Sequence, residues 1–207
     1  MPLAANALVS LETAKAFLNL SGSVDDPAVE VAINRASDRC ERYCGRRLVR
    51  ATYANRRYAA PLGRDLYLGD VPVDTSAPVT VSVNGVAQTV WRSEADGDPA
   101  NADVIVAPDP QETRLAPYKL VRPGGWLVST RHPYTVVVSY TGGFSQIPED
   151  LQLACLYVIQ RYWRDQQKQL ADVTTVTLPS GSVTLLDVVL PREARAILDA
   201  YRATVLA

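Results

Sequence analysis

Apolar positions recur at helical spacing at both ends of the chain and alternate in its middle. Near the start, Ala14, Phe17 and Leu18 fall on one short face. Ser10 precedes that segment as an N-cap, and Glu12 lies near the positive end of the helix. Ser21-Gly22-Ser23 is expected to end it. Asp25 and Asp26 then precede Pro27, an acidic cap followed by proline at the first helical position. From Pro27 to Cys44, Val29, Ile33, Ala36, Cys40 and Tyr43 form one stripe. Glu30, Asn34, Asp38, Glu41 and Arg42 lie opposite, and Gly45 is a natural stop.

From about residue 48 the periodicity changes. Val81 and Val83 alternate ahead of Asn84-Gly85, a strong hairpin signal. Pro123-Gly124-Gly125 marks a turn between two apolar stretches, 118–121 and 126–130. Residues 134–140, YTVVVSY, read as a strand of β-branched and aromatic residues. Residues 93–113 are rich in Asp, Pro and Ala and read as a solvated loop, with at most a short strand at Val104–Val106.

Helical spacing returns after Pro148. A long helix is predicted from there to about Lys168, with Leu151, Ala154, Cys155, Val158, Ile159 and Tyr162 as its main stripe. Leu153, Leu156, Tyr157 and Trp163 widen that stripe, so this helix needs partners on several sides. A last helix begins at Pro191 and carries Ala194, Ile197, Leu198 and Tyr201. Between them, Thr174–Val189 reads as a β-hairpin or extended arm around Pro179-Ser180-Gly181-Ser182. The fold class is therefore α+β, a bundle of about four helices drawn from the two chain ends with a β-rich insertion. The expected division is a helical core of 1–47 with 142–207, and an insertion of 48–141.

Composition narrows the functional classes. With 207 residues, the chain is long enough to bury a core without metal or disulfide staples. Lys and Arg total 21 against 22 Asp and Glu, for a formal net charge of -1, which argues against a general nucleic-acid binder. The N-terminus shows no basic stretch followed by an apolar segment, and no apolar run is long enough to span a membrane. No membrane partner is expected. Cys40, Cys44 and Cys155 are expected as free thiols, the first two on one helical face.

Candidate chemistry is sparse. His132 is the sole histidine, no GxSxG elbow supplies a serine, and Ser129 would fall on the opposite face of a strand. A tetrahedral metal site would need more ligands than the three cysteines and His132 offer, so the cysteines read as small core residues. Gly142-Gly143 follows a strand without the lysine or third glycine of a phosphate loop. Asp25/Asp26 and Glu149/Asp150 sit at helix starts, where they complement the macrodipole. Arg46, Arg47, Arg50, Arg56 and Arg57 can meet phosphate or acidic groups of another subunit; protein contact or a solvated face is favoured. No catalytic residue, cofactor or metal is assigned, and a structural rather than an enzymatic role is expected.

The ordered set of segments resembles the head–tail connector, or adaptor, proteins of long-tailed bacteriophages, including the adaptors of gene transfer agents. The resemblance rests on Ser10, Leu11, Ala14, Lys15 and Leu18 at the start. It continues through Asp25, Asp26, Tyr43, Gly45 and Arg46, then Tyr140, Thr141, Gly143 and Pro148, and closes on Tyr201 and Arg202. Residues 48–135 match only in being β-rich, and the 174–189 arm departs from the pattern. The resemblance implies a homo-oligomeric ring, twelvefold in the particle, beneath the portal. That ring extends the DNA channel, docks the stopper or tail, and lets DNA pass without sequence-specific binding. It implies a place at the neck of a virion assembled in the host cytoplasm, with Tyr201, Arg202, Val205 and Leu206 as portal-side contacts. The alternatives are another neck or tail-completion protein (a stopper or tail terminator), an enzyme using a site near His132, and a host-encoded protein-binding module.

Overall fold

The helices follow from their caps and apolar spacing. The computed structural model describes residues 2–107, 119–126, 135–167, 175–178, 181–184 and 190–202. Helix α1 spans Leu11–Leu18, and the Ser10 hydroxyl accepts from the Thr13 N–H, as its position before the helix predicts. It ends one turn before the Ser-Gly-Ser signal, because Asn19 adopts the left-handed conformation (φ 55°) and its N–H closes on the Ala16 and Lys15 carbonyls. Helix α2 spans Asp26–Cys44 and stops at Gly45, whose φ of 70° suits glycine. Asp25 sits at its N-cap but makes no side-chain cap hydrogen bond; Asp26 instead pairs with Lys15 of α1.

Helix α3 spans Glu149–Gln167, and α4 spans Arg192–Asp199. The chain separates into two compact units, 1–45 with 147–207 and 46–146, and the four helices belong to the first. There Val29, Ile33, Ala36 and Cys40 of α2 are buried, as are Leu151, Ala154, Cys155, Val158 and Ile159 of α3 and Ala194 and Leu198 of α4. The stripes turn slightly from their predicted centres. Cys44 and Trp163 are buried, whereas Tyr43 and Tyr162 are half-buried. The polar face of α2 is not simply solvated. Asn34 accepts from the Ala4 N–H, Asp38 and Glu41 accept from the Asn6 amide, and the Ser37 hydroxyl takes the Leu8 N–H, so this face holds the N-terminal segment. The same unit carries the hairpin of β9 (Thr175–Leu178) and β10 (Gly181–Thr184), paired antiparallel.

Among its described residues the second unit is all β apart from two single-turn 3₁₀ helices, Glu94–Asp96 and Pro99–Asn101. Its strands are β1 (Ala51–Tyr58), β2 (Asp65–Tyr67), β3 (Thr80–Val83), β4 (Val86–Gln88), β5 (Val90–Trp91), β6 (Val104–Ala107), β7 (Lys119–Val121) and β8 (Val136–Gly142). One four-stranded sheet runs β1-β8-β3-β4, the other β2-β7-β6-β5. The hairpin at Asn84-Gly85 forms as read, with both residues at positive φ. The 93–113 stretch yields a strand at Val104–Ala107, pairing antiparallel with β7 and parallel with β5. Period-two alternation buries Val136, Val138 and Tyr140 of β8, and Tyr53, Val81, Val83, Val104, Val106, Leu120 and Trp126 join them in one apolar cluster. Gly142 and Gly143 do not make the tight turn expected of them: Gly142 is the last residue of β8 and Gly143 a bend after it, and both mark close backbone approach. A Cβ on Gly142 would meet the Asp70 carbonyl oxygen at 2.0 Å, and Gly143 has φ 96°. The fold is thus α+β, with the helices at the chain ends and the strands of these two sheets in the middle.

Candidate functional site

The end of α4 is the best-defined polar constellation of the helical unit. Tyr201 has no exposed surface. Its hydroxyl donates to the Asp150 carboxylate at 2.6 Å, and the same carboxylate oxygen accepts from the Leu151 N–H at 2.9 Å. One acidic residue at the start of α3 therefore serves both the helix terminus and the last turn of the chain. On α2, the Tyr43 hydroxyl donates to Asp199 at 2.6 Å, and the Arg202 guanidinium lies 5.4 Å from the Tyr43 ring centroid. The bond to Asp199 raises the Tyr43 pKa, so the phenol stays protonated and keeps donating. Residues 199–202 are thus pinned to both long helices. Of the four residues expected to face a portal, Tyr201 is in the helical core and Arg202 is exposed, while Val205 and Leu206 lie outside the described residues. Helical spacing puts Tyr201 on the apolar stripe of the last helix, and only the resemblance turns it toward a portal; its acceptor at Asp150 is visible in the sequence only as a helix-start carboxylate.

The arginine cluster after α2 belongs to the β unit and is largely used there. Arg46 is buried, donates to the Val71 carbonyl and stacks 5.8 Å from the Phe144 ring. Arg50 pairs with Asp74 at 2.5 Å, and Arg56 reaches Asp70 at 3.4 Å while lying 4.9 Å from the Tyr53 ring. The acidic partners of Arg50 and Arg56 lie within their own unit, an arrangement that none of the expected roles (phosphate, another subunit's acids or a solvated face) included. Arg47 and Arg57 remain exposed.

Chemistry of other kinds finds little support in the geometry. Cys40, Cys44 and Cys155 are buried free thiols. Hydrogen bonding to Cys155, together with burial, pushes the Cys40 thiol up, away from the reactive thiolate. Among the described residues no three His, Cys, Asp or Glu side chains converge as a metal site. No described helix is long and apolar enough to cross a membrane. A cavity of about 480 Å³ in the β unit is lined by Arg50, Asp74, Ser76, Gly143, Phe144 and Gln146, among others. Its Ser76 hydroxyl donates to Asp74 at 2.5 Å. Asp74 is a poor base there, because Ser76 and Arg50 hold its pKa below the usual carboxylate value. His132 lies outside the described residues.

A model of the head completion protein family matches residues 7–204. The chain belongs to that family. Two solved chains share its fold along the whole length. One comes from the neck of an empty gene transfer agent particle computed with C6 symmetry (TM-score 0.55, 17% identity, covering 100% of this chain and 95% of that one). The other comes from the neck of the native particle computed with C12 symmetry (TM-score 0.55, 18% identity, covering 100% and 96%). No protein among those of curated function matches the chain. The resemblance read from the ordered segments of this head completion protein is thus supported by the family and by the fold.

Proposed function

We propose that this head completion protein is the head–tail adaptor of a tailed phage or phage-like particle. In that role it is a structural subunit that forms a ring, twelvefold in the particle, beneath the portal. The observation that carries the reading is the family match over residues 7–204, joined to a fold shared end to end with chains of a particle neck. The physical features agree. A wide apolar α3 is spent on holding α1, α2 and α4 together, which gives a rigid block able to repeat one head-to-tail contact until a ring closes. Tyr201 fixes the exit of the C-terminal segment, so that Arg202, Val205 and Leu206 leave a defined point and reach the portal. The ring would extend the DNA channel and dock the stopper or tail. A subunit of net charge -1 suits DNA that slides through without sequence-specific grip. Its place would be the virion neck, after assembly in the host cytoplasm, and its role would be architectural rather than catalytic.

The test is to mix the purified chain with its cognate portal and image the product by electron microscopy. A ring of this chain seated on the portal is expected. Binding to the tail tube with no portal association would refute the adaptor role and indicate a stopper or terminator.

A further inference from the structure

The helical unit carries a basic stripe that no described acid neutralises. Arg35, Arg39 and Arg42 follow one another on α2 at spacings of four and three, which places them on one face. Arg35 and Arg42 are exposed and Arg39 is half-buried, and none of the three forms an ion pair with a described residue. All three bear on the Tyr162 hydroxyl of α3: burial raises that phenol's pKa, and the positive charges of Arg39, Arg35 and Arg42 oppose the rise. Asp38 and Glu41 of α2 turn to the neutral Asn6 amide, which leaves their charge in place, and neither forms an ion pair with the stripe.

The β unit carries the opposite feature. No Lys or Arg occurs between Arg92 and Arg114, while Glu94, Asp96, Asp98 and Asp103 fall within the first part of that stretch. Glu94 through Asn101 are exposed in succession, on the two 3₁₀ turns. Arg92 neutralises Asp96 through a bond at 2.7 Å, and Asp103 binds Thr89. Glu94 and Asp98 make no ion pair with a described residue, Asp98 holding only the Ala100 N–H of its own turn at 2.9 Å.

The helical unit thus carries one stripe of three arginines with no ion pair, and the β unit one exposed acidic segment in which Glu94 and Asp98 have none. In a ring the surface presented by one copy meets a different surface of the next, so two such features of opposite charge can meet between copies. We propose that the Arg35–Arg39–Arg42 stripe of one copy docks the Glu94–Asp103 segment of the neighbouring copy. The proposal rests on the ring reading and names its contact. A duplex phosphate backbone is the less favoured partner. The stripe spans only about 10 Å at 1.5 Å rise per residue, enough for few phosphates, and the same chain supplies an exposed acidic counterpart.

The test is a charge swap read by sedimentation velocity of the full chain over a range of protein and salt concentrations. Arg35→Glu with Arg42→Glu reverses exposed positions only, and Glu94→Arg with Asp98→Arg reverses the acidic turn; circular dichroism checks that each variant folds. Each pair of reversals is expected to weaken self-association about tenfold or more, an effect of roughly 1.4 kcal/mol. Mixing the two variants, or combining all four changes, is expected to restore association. The wild-type association is expected to fall as salt screens it. Association indifferent to the swaps, no concentration dependence in the wild type, or failure of the combined variant to recover overturns the proposal. So does fluorescence anisotropy showing that the stripe binds a short DNA duplex while self-association is unchanged by its reversal. A swapped variant that still closes a ring on the portal would defeat this contact and leave the adaptor reading standing.

Discussion

Removing one oxygen atom tests whether the chain end is anchored as described. In Tyr201→Phe the ring, which has no exposed surface, stays in place and only the bond to Asp150 is lost. A hydrogen bond to a charged group contributes about 1.5–3 kcal/mol. The lower part of that range applies here, because Asp150 is only partly buried and keeps the Leu151 N–H, so water can replace part of what Tyr201 gave. The expected loss is about 1.5 kcal/mol, equivalent to a fall of roughly 6–12 °C in melting temperature for a domain of this size. Tyr201→Ala removes the ring as well, and a cost of about 3–5 kcal/mol is expected from the cavity and lost burial. The assay is urea or thermal unfolding followed by the far-ultraviolet helical signal, which reports on the unit that contains α1 to α4. A Tyr201→Phe variant within a few tenths of a kcal/mol of wild type would refute the anchoring argument. The same would follow if the alanine and phenylalanine variants lost equal stability, since the ring would then contribute nothing.

Removing residues 203–207, and with them Val205 and Leu206, is expected to abolish portal binding while leaving the helical signal unchanged; pull-down on purified portal checks this. Gly143→Ala is expected to destabilise the β unit by about 2 kcal/mol or more, since φ 96° suits glycine and the new Cβ would meet the Val49 carbonyl oxygen at 2.7 Å; denaturant unfolding reads it. Asp74 has its pKa lowered first by Ser76 and then by Arg50, so the unfolded chain takes up its proton at higher pH than the folded one. Its contribution is therefore whole above the ordinary carboxylate pKa and is lost as pH falls through the lowered one; Asp74→Asn should weaken the protein at neutral pH and flatten that part of the acid limb. The three buried thiols are expected to resist a thiol reagent in the native protein and to react fully once urea unfolds it.

What the sequence made legible follows from where one physical signal acted alone. The stripe of α2 and the wide face of α3 were readable because burial there is decided by side-chain apolarity at helical spacing, and the Asn84-Gly85 hairpin because only such residues accept its backbone. Strand β1 escaped because Tyr53 is its one buried residue, and the bulge between Tyr53 and Arg56 breaks any alternation. Arg46 escaped because a buried guanidinium needs a carbonyl and a ring, Val71 and Phe144, that are distant in sequence. Spacing places Tyr201 on an apolar stripe, but its hydroxyl's acceptor is fifty-one positions away, at the start of another helix, and so the bond itself is not legible. Arg46 and Tyr201 share a cause: each carries a polar group satisfied by a long-range partner, which local pattern cannot report. The same reasoning gives the arginines of α2 their weight. Arg46, Arg50 and Arg56 also looked like a free basic cluster, and the fold supplied partners for all three. Arg35, Arg39 and Arg42 have passed through the same folding without acquiring an ion-pair partner among the described residues, while Asp38 and Glu41 of the same helix turn to Asn6. Charge left unneutralised after the internal partners have been assigned is charge available to a surface outside the chain, and a second copy, with Glu94 and Asp98 exposed, carries its complement.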